Sequence, residues 1–365
     1  MLCPYTGDIM SRMFVPGPVD VADEVLQAQA APMLPHRSKE FETIFRRASE
    51  KSKQLFYTNY RVFLTASSGT GLQEAAIRNF VHKRVLCVVN GAFADRWFEV
   101  AVYNGKEADE LAFEWDTPAS PDQVADAVKS GGYEALTIVH NETSTGLQNP
   151  IKEIAEAVHA VAPNTLIFVD AVSSLGGAKI EMDAWGIDML LTSSQKCLAL
   201  PPGLALGAVS DRAMKKAETV ENRGWYFDLV RMEKHRNKDS SPATPAMSLI
   251  YALDFQLDRI FTEGLDNRFA RHSAMATRVQ EWADAHDLSM YAPEGYRSQT
   301  VTTIKNDRGF SVSELNAFLK QREMRIANGY GQLKDKTFRI AHMGETQIED
   351  IEELLEAMEQ FLQKQ

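Results

Sequence analysis

Cysteine is scarce in this chain of 365 residues, which contains only Cys3, Cys87 and Cys197. None of them stands in a CxxC pair, so the sequence predicts neither a disulfide framework nor a zinc site. We therefore expect no metal ion in the function and a reducing cytosol as the compartment.

The chain also lacks the features that bring proteins to membranes or nucleic acids. No stretch approaches the roughly 18 apolar residues of a membrane helix, and the first residues lack the basic head and apolar run of a signal peptide. Lysine and arginine number 39 against 50 aspartate and glutamate, which gives a net charge of −11. Since a polyanion such as DNA would be repelled, any phosphate that the protein binds is expected to be small.

In other respects the composition is that of a globular protein, with 44% hydrophobic and 24% charged residues. The length exceeds what one hydrophobic core usually serves, and there is no internal repeat. Short apolar runs alternate with amphipathic segments, which predicts an α/β protein with a mostly parallel sheet. These runs cover residues 85–90, 136–140, 166–170, 189–193 and 204–210.

The pattern changes beyond about residue 265, where two strands, VTTIKN and TFRIAH, each precede a helix. We predict that Ser311 with Glu314 and Thr346 with Glu349 form the capping boxes of these helices. The sequence therefore predicts a smaller α/β domain at the C-terminus. The expected divisions are an N-terminal arm over 1–20, a large domain over 21–260 and a small domain over 261–365.

Two charged residues follow neighbouring predicted strands: Asp170 ends LIFVD, and Lys196 comes shortly after MLLTS. In open α/β sheets ligands bind outside the carboxyl ends of the strands, so this carboxylate and this amine can face one ligand. Taken alone, the pair could equally form a structural ion pair.

Residues 66–71 form a turn of small residues between another strand end and a predicted helix. The N–H groups and the dipole at such a helix start can bind a phosphate. Gly69 and Gly71 resemble part of a dinucleotide fingerprint, but the full GxGxxG is absent, and the turn could be merely structural.

Two further strand ends carry residues that suit an aromatic ligand. Phe93 could lie flat against a ring or simply pack in the core. The segment HNETSTG at 140–146 supplies hydroxyl groups that could bind a ring oxygen, and it could also be an ordinary polar turn.

Taken in order, these segments resemble the class V aminotransferases, which are pyridoxal-phosphate (PLP) enzymes of fold type I, and in particular their alanine–glyoxylate and serine–pyruvate branch. The similarity runs through nearly the whole chain. It rests on the segments FVPGPVDV, PMLPHRSKEF, SSGTG, HNETSTG, VDAVSSLGG, GIDMLLTSSQKCLALPPG, ATPAMSLIYAL and ANGYGQLKDKTFRIAHMG. The resemblance implies a mostly parallel sheet flanked by helices, pyridoxal 5'-phosphate as cofactor and a homodimer with a shared active site.

The resemblance also implies roles for individual residues that hold the cofactor ring. Lys196 matches the lysine that binds the cofactor covalently, and Asp170 matches the carboxylate paired with the pyridine nitrogen. Val172 and Phe93 match the residues on the two faces of the ring, where many relatives have Trp or Tyr in place of Phe93. Thr143 and Gln195 match contacts to the ring oxygen and the ring flank.

Further residues match the positions that bind the phosphate and the substrate. Ser68, Gly69 and Thr70 match the phosphate turn. Thr244 resembles the residue that completes the phosphate site from the partner subunit. Arg339 matches the arginine that binds the substrate carboxylate, for which a planar guanidinium can form two parallel hydrogen bonds.

The expected reaction moves an amino group from alanine or serine to glyoxylate or pyruvate. No second basic residue flanks Arg339 along the chain, and the turn at 15–18 could narrow the pocket, which favours small substrates; Arg37 has no assigned role. Two alternatives stay open. A lyase or cysteine desulfurase of the same fold would need a mobile catalytic cysteine, and a non-catalytic α/β protein could use the turn at 66–71 to hold another phosphate.

Overall fold

The computed structural model describes residues 12–364, so Cys3 and most of the predicted arm lie outside the described residues. This part of the chain forms twelve α-helices: α1 (Asp23–Gln29), α2 (Lys39–Phe56), α3 (Gly69–Phe80), α4 (Ala92–Tyr103), α5 (Pro121–Gly131), α6 (Ile151–Val161), α7 (Asp211–Thr219), α8 (Leu229–Arg236), α9 (Met247–Glu263), α10 (Leu265–Ala285), α11 (Val312–Lys320) and α12 (Ile348–Leu362). The same part forms thirteen strands: β1 (Arg12–Phe14), β2 (Arg61–Thr65), β3 (Arg84–Val89), β4 (Glu107–Ala112), β5 (Ala135–Val139), β6 (Asn141–Glu142), β7 (Leu147–Gln148), β8 (Leu166–Asp170), β9 (Met189–Ser193), β10 (Ala205–Val209), β11 (Val301–Lys305), β12 (Met324–Asn328) and β13 (Thr337–Ala341).

Seven strands form the larger sheet in the order β2-β10-β9-β8-β5-β3-β4. Strand β10 runs antiparallel to both of its neighbours, and the other pairs are parallel. This confirms the predicted mostly parallel α/β sheet. The alternation of apolar runs does not reveal β4, because its sequence EADELA belongs to a half-exposed strand at the edge of the sheet.

Helices cover both faces of this sheet. Alternate residues of β3 point to opposite sides, so Leu86 and Val88 join one apolar cluster while Val85 and Val89 join the other. The first cluster contains buried residues of α2, α6 and α9, and the second contains buried residues of α3 and α4. Burial of each large aliphatic side chain contributes about 1.5–3 kcal/mol, which fixes the helices against the sheet.

The second sheet has the order β1-β12-β13-β11 and shares a third apolar cluster with α10, α11 and α12. Strand β1 pairs in parallel with β12, so residues 12–14 of the predicted arm join the sheet formed by the C-terminal part of the chain. The domain boundaries themselves stay a prediction.

The two predicted capping boxes have different outcomes. Ser311 caps α11 by accepting a hydrogen bond from the backbone N–H of Glu314, which is one half of the predicted capping box; the reciprocal bond to the Glu314 side chain is not formed among the described residues. Helix α12 begins one residue later than predicted, with Gln347 and Asp350 forming the capping box. The prediction was wrong because the hydroxyl of Thr346 donates to the carbonyl of Met343 at 3.1 Å and does not cap the helix.

The sheet topology creates a crevice next to β3, the strand beside the edge strand β4. Strand β3 lies between β4 and β5. After β3 the chain first forms β4 on one side of it and then forms β5 on the other side. In doubly wound sheets the loops diverge at such a switch point, where ligands bind beyond the carboxyl ends of the strands.

Candidate active site

A cavity of about 190 Å³ lies at the carboxyl ends of the parallel strands. It brings together every site residue predicted from the sequence except Thr244 and Arg339. The predicted residues in its wall are Ser68, Gly69, Thr70, Phe93, Thr143, Asp170, Val172, Gln195 and Lys196. Larger cavities, of about 360 and 850 Å³, lie elsewhere in the described chain and contain none of these residues.

Asp170 ends β8 and is 5% exposed. Its Oδ1 accepts the backbone N–H of Val172 at 2.8 Å, and its Oδ2 accepts the amide of Gln73 at 2.6 Å. Burial raises the pKa of Asp170 to about 6, while these two hydrogen bonds and the charge of Lys196 act in the opposite direction. The carboxylate is therefore ionised at neutral pH and can accept a further hydrogen bond from a ligand.

Lys196 lies in the turn after β9. Burial, followed by the charge of Arg339, lowers the pKa of its amine to about 8. The amine donates a hydrogen bond to the backbone carbonyl of Pro16. The adjacent Gly17 has φ +82°, and a Cβ at this position would lie 2.5 Å from Lys196 Cδ. The turn at 15–18 therefore packs directly on the lysine, although none of its residues lines the cavity.

The phosphate turn lies at the start of α3. Ser68 is the N-cap, but its side chain makes no capping hydrogen bond, and the first turn carries no acidic residue. The N–H groups and dipole of this turn can therefore bind an anion. A Cβ on Gly69 would overlap Val172 Cγ2, so only glycine allows this close approach.

Phe93 is held in the cavity wall by the start of α4. The fully buried carboxylate of Glu142 accepts the backbone N–H groups of Phe93 at 3.1 Å and Ala94 at 3.0 Å. This takes the place of an N-cap side chain, because the N-cap residue is Gly91. The Phe93 ring lies 5.4 Å from the ring of Tyr330, with an angle of 31° between the planes.

Thr143 belongs to a buried polar network. Its hydroxyl donates to Ser173 Oγ at 2.7 Å, and Asn141 Nδ2 also donates to Ser173 Oγ at 2.9 Å. Ser173 lines the same cavity, although the sequence analysis did not select it.

Several buried polar atoms of the cavity wall have no hydrogen-bond partner in the described part of the chain. They are Gln73 Oε1, Asn141 Oδ1, Ser193 Oγ and Gln195 Oε1. Because an unsatisfied buried polar group costs about 1–3 kcal/mol, this wall suits a polar ligand that would supply the partners. Together with the anion site on α3, the carboxylate of Asp170 and the amine of Lys196, the residues fit pyridoxal phosphate.

Arg339 lies on β13 and is 8% exposed. Its Nε donates to the carbonyl of Asn328 at 3.0 Å, and its Nη1 donates to the carbonyl of Thr143 at 3.2 Å. Burial lowers the pKa of the guanidinium to about 10. Among the described residues it forms no ion pair, so its charge is available to an anionic ligand.

Thr244 is exposed and lies outside the cavity that contains Lys196. It lines a separate shallow cleft together with Ala66 and Tyr226. Within a single subunit, Thr244 therefore does not line the cavity that contains Ser68, Gly69 and Thr70.

Two residues of the cavity wall, Gln73 and Arg96, are absent from the predicted site although each has a clear positional signal. Gln73 follows Gly69 by four residues, one turn along the same helix, and Arg96 follows Phe93 by three. Arg96 Nη2 lies 3.4 Å from the hydroxyl of Tyr330, whose ring centre is 5.5 Å from Arg339 Cζ. A second basic residue is therefore present near Arg339, although none flanks it along the chain.

The fold and the cavity define a pyridoxal-phosphate enzyme of fold type I. Residues 20–354 match the model of the family described as aminotransferase class-V, and the chain belongs to this family. It is a pyridoxal-phosphate-dependent aminotransferase. This excludes the non-catalytic alternative.

Similar sequences cover most of the chain. An uncharacterized aminotransferase of Methanocaldococcus jannaschii is 38% identical over 342 residues, 92% of this chain and 88% of the relative. The L-aspartate–glyoxylate aminotransferase of Paracoccus denitrificans is 35% identical over 91% of this chain and 86% of its own length. The serine–glyoxylate aminotransferase of Methylorubrum extorquens is 33% identical over 92% and 87%.

The solved structure of an alanine–glyoxylate aminotransferase from Nostoc sp. has the same fold. It superposes with a TM-score of 0.91 at 29% identity, over 97% of this chain and 95% of the other. The predicted fold type I architecture is thereby confirmed.

Proposed function

We propose that this aminotransferase moves the amino group of a small amino acid, alanine or serine, to a small 2-oxo acid, glyoxylate or pyruvate. The observation that carries the proposal is the size of the cavity around Lys196. At about 190 Å³ it is smaller than the roughly 300–1,000 Å³ of sites for drug-sized ligands. Pyridoxal phosphate would fill most of this volume, and Arg339, which we assign to the substrate carboxylate, lies outside the cavity wall. Only the small α-carbon part of a substrate would therefore fit against Lys196. Glyoxylate also appears in the names of the Paracoccus, Methylorubrum and Nostoc proteins.

The first turn of α3 would hold the phosphate of pyridoxal phosphate, and Phe93 and Val172 would contact its ring. When bound, the cofactor would supply an aromatic ring that takes up the electron pair of the substrate bond that breaks. The polar atoms of Thr143 and Gln195 would hold the substituents of the ring.

In this proposal Lys196 accepts the α-proton that the substrate loses, and later passes it on. An ordinary lysine amine is protonated at neutral pH, but the lowered pKa of about 8 leaves a larger fraction neutral. The neutral amine can act first as a nucleophile and later as a base at Nζ. The Pro16 carbonyl orients the amine between these steps.

Asp170 keeps a positive charge on the ring nitrogen. Its carboxylate has lost most contact with water, and within the described chain it forms no ion pair with Lys196 or another cation. A protonated ring nitrogen would supply this missing cation, and the resulting pair favours electron withdrawal into the ring.

Arg339 binds the substrate carboxylate. Two of its nitrogens are held by backbone carbonyls, which fixes the plane of the guanidinium and directs its remaining donors. A fixed carboxylate in turn fixes which bond at the substrate's α-carbon stands perpendicular to the cofactor ring. Loss of the α-proton is then favoured over loss of the carboxylate.

We further propose a homodimer in which Thr244 contacts the phosphate bound by the other subunit. Thr244 is exposed in a single subunit, and Trp225 and Tyr226 nearby are 54% and 46% exposed. Large aromatic residues exposed in one region suit an interface between subunits. Sedimentation of the cofactor-loaded protein tests this assembly: a fully active monomer would contradict it.

A cysteine desulfurase is disfavoured by the two cysteines that the structure describes. Burial raises the pKa of both Cys87 and Cys197 to about 12, so neither forms a thiolate nucleophile at neutral pH.

No described helix is long and apolar enough to span a bilayer. Location in the cytosol stays a prediction.

The substrate proposal is tested with the purified, cofactor-loaded enzyme and a matrix of substrates. Alanine, serine and aspartate serve as donors, and glyoxylate, pyruvate and oxaloacetate as acceptors. Aspartate is included because Arg96 is a second cation in the wall. We expect the highest kcat/KM for alanine or serine with glyoxylate or pyruvate. Preference for aspartate by tenfold or more would overturn the proposal.

A further inference from the structure

The side chain of Gln73 makes one polar contact that bears on the active site. It is 2% exposed, and its Nε2 donates to Asp170 Oδ2 at 2.6 Å. Its Oε1 has no partner among the described residues. The hydrogen bond to the carboxylate is therefore the side chain's one identified polar anchor, and it fixes which end of the amide faces Asp170 because a carboxylate accepts only N–H or O–H donors.

Helix α3 holds Gln73 in this position. The backbone carbonyl of Gln73 accepts the indole N–H of Trp97 on α4 at 3.3 Å. Gln73 also lies one helical turn after Gly69 in the phosphate turn. Helix α3 thus carries both the proposed phosphate site and the amide of Gln73. This amide contacts Asp170, the proposed partner of the ring nitrogen.

Among the groups around Asp170, Gln73 donates a hydrogen bond to the carboxylate that a side-chain substitution can remove. Val172 donates a backbone N–H that no side-chain substitution removes, and Lys196 and Arg96 act through their charge. On the neighbouring strand end, His140 donates its backbone N–H to the Asp170 carbonyl at 2.8 Å, and its ring contacts Ser174. Burial lowers the pKa of His140 to about 4, so its ring is neutral where Asp170 titrates.

We propose that Gln73 is a positioning residue that keeps Asp170 ionised and oriented for the cofactor's ring nitrogen. The inference rests on the proposed placement of pyridoxal phosphate. An amide that donates to the ionised form stabilises that form, and it also fixes Oδ2 so that the free lone pairs of the carboxylate face the cavity. Without it, desolvation would favour the protonated acid, which cannot balance a charged ring nitrogen.

The experiment compares wild type with Gln73→Met, which has nearly the same volume and removes both the donor and the unpartnered acceptor. Holoenzyme is dialysed at a series of pH values, and the bound cofactor that remains is measured by its visible absorbance. The pH dependence of kcat is measured in parallel. Because a hydrogen bond to a charged group is lost, we expect the acid-side midpoints of cofactor retention and kcat to rise by about one pH unit.

Two further variants separate this role from simple packing. Gln73→Leu also removes the amide donor and offers only an apolar side chain, so it should raise both midpoints by a similar amount. Asn79→Leu disturbs the same helix, since Asn79 bonds the carbonyls of Ala75 and Phe227. It should lower the melting temperature without moving either midpoint.

Each result decides the inference. A midpoint that rises in Gln73→Met and Gln73→Leu, with cofactor affinity near wild type at alkaline pH, supports it. Equal loss of cofactor at every pH, or midpoints that stay at the wild-type value, would overturn it and assign Gln73 to packing alone. If Gln73→Met does not fold, Gln73→Leu alone decides. If wild type itself fails to retain pyridoxal phosphate, the proposed function fails, which is a distinguishable outcome.

Discussion

Replacing Asp170 with asparagine tests the electronic part of the proposed mechanism while preserving the shape of the cavity. The carboxylate accepts one hydrogen bond on each oxygen, from Val172 and from Gln73. Asparagine can accept the first on its oxygen but offers an N–H group to the second. The unpartnered Oε1 of Gln73 can satisfy that group if the amide turns over. We therefore expect Asp170→Asn to fold and to bind cofactor.

The size of the expected fall in kcat follows from the loss of the negative charge of Asp170. Asp170 is ionised at neutral pH, since its raised pKa is only about 6, and it lies in a site with little water. Loss of a buried charge partner costs several kcal/mol, and each 1.36 kcal/mol on the barrier is a factor of ten in rate. We expect kcat to fall by about 10²-fold or more.

The assay is the steady-state rate of alanine with glyoxylate, divided by the cofactor content of each preparation. Asp188→Asn is the matched control, because Asp188 is also buried at a strand end but pairs with Arg212 outside the cavity. That control should lose stability and keep its kcat. If Asp170→Asn retains cofactor and a kcat within threefold of wild type, Asp170 is a structural strand-end acid and the proposed role is wrong.

Three other perturbations follow from the structure. Arg339→Lys keeps a charge but loses the planar fork, so the KM for carboxylate substrates should rise about tenfold or more while cofactor absorbance is unchanged; an unchanged KM would refute the assigned contact. Gly17→Ala should reduce covalent cofactor binding, because its Cβ would lie 2.5 Å from Lys196 Cδ, whereas Gly105→Ala has the same positive φ in open space and should bind cofactor normally. Burial lowers the pKa of His140 from 6.5 to about 4, so the unfolded chain binds more protons between these values and stability is lost as pH falls through this window, by up to about 3 kcal/mol. Denaturant unfolding at pH 7 and pH 4.5 should show a smaller loss for His140→Gln than for wild type, and an equal loss would contradict this account.

Strands buried on both faces are readily predicted from the sequence. Strands β8 and β9 have the predicted bounds because their uninterrupted apolar runs end abruptly at polar residues. Strand β12 was missed because its sequence MRIAN is half exposed, and β1 because three residues carry no usable periodicity. Its pairing with β12 joins positions more than 300 residues apart, which no local pattern encodes.

The same holds for the site: residues marked by a local pattern are predictable from the sequence, and residues placed by tertiary contacts are not. Asp170, Lys196 and the phosphate turn are predictable because each lies at or shortly after the end of a strand, and parallel strands bring their carboxyl ends together. Gln73 and Arg96 were missed because they lie inside helices, where a polar residue ordinarily faces solvent. Their roles depend on which face of the helix packs over the sheet, and hence on tertiary contacts.

Mass spectrometry can establish whether this chain binds pyridoxal phosphate covalently through Lys196. The cofactor-loaded protein is reduced with borohydride to fix the lysine linkage, then digested, and the modified peptide is sequenced. We expect the cofactor to be attached to Lys196 in the segment SSQKCL, and we expect Lys196→Ala to yield a folded protein with neither the attachment nor transamination. Attachment at another lysine, or transamination at the wild-type rate by Lys196→Ala, would contradict it.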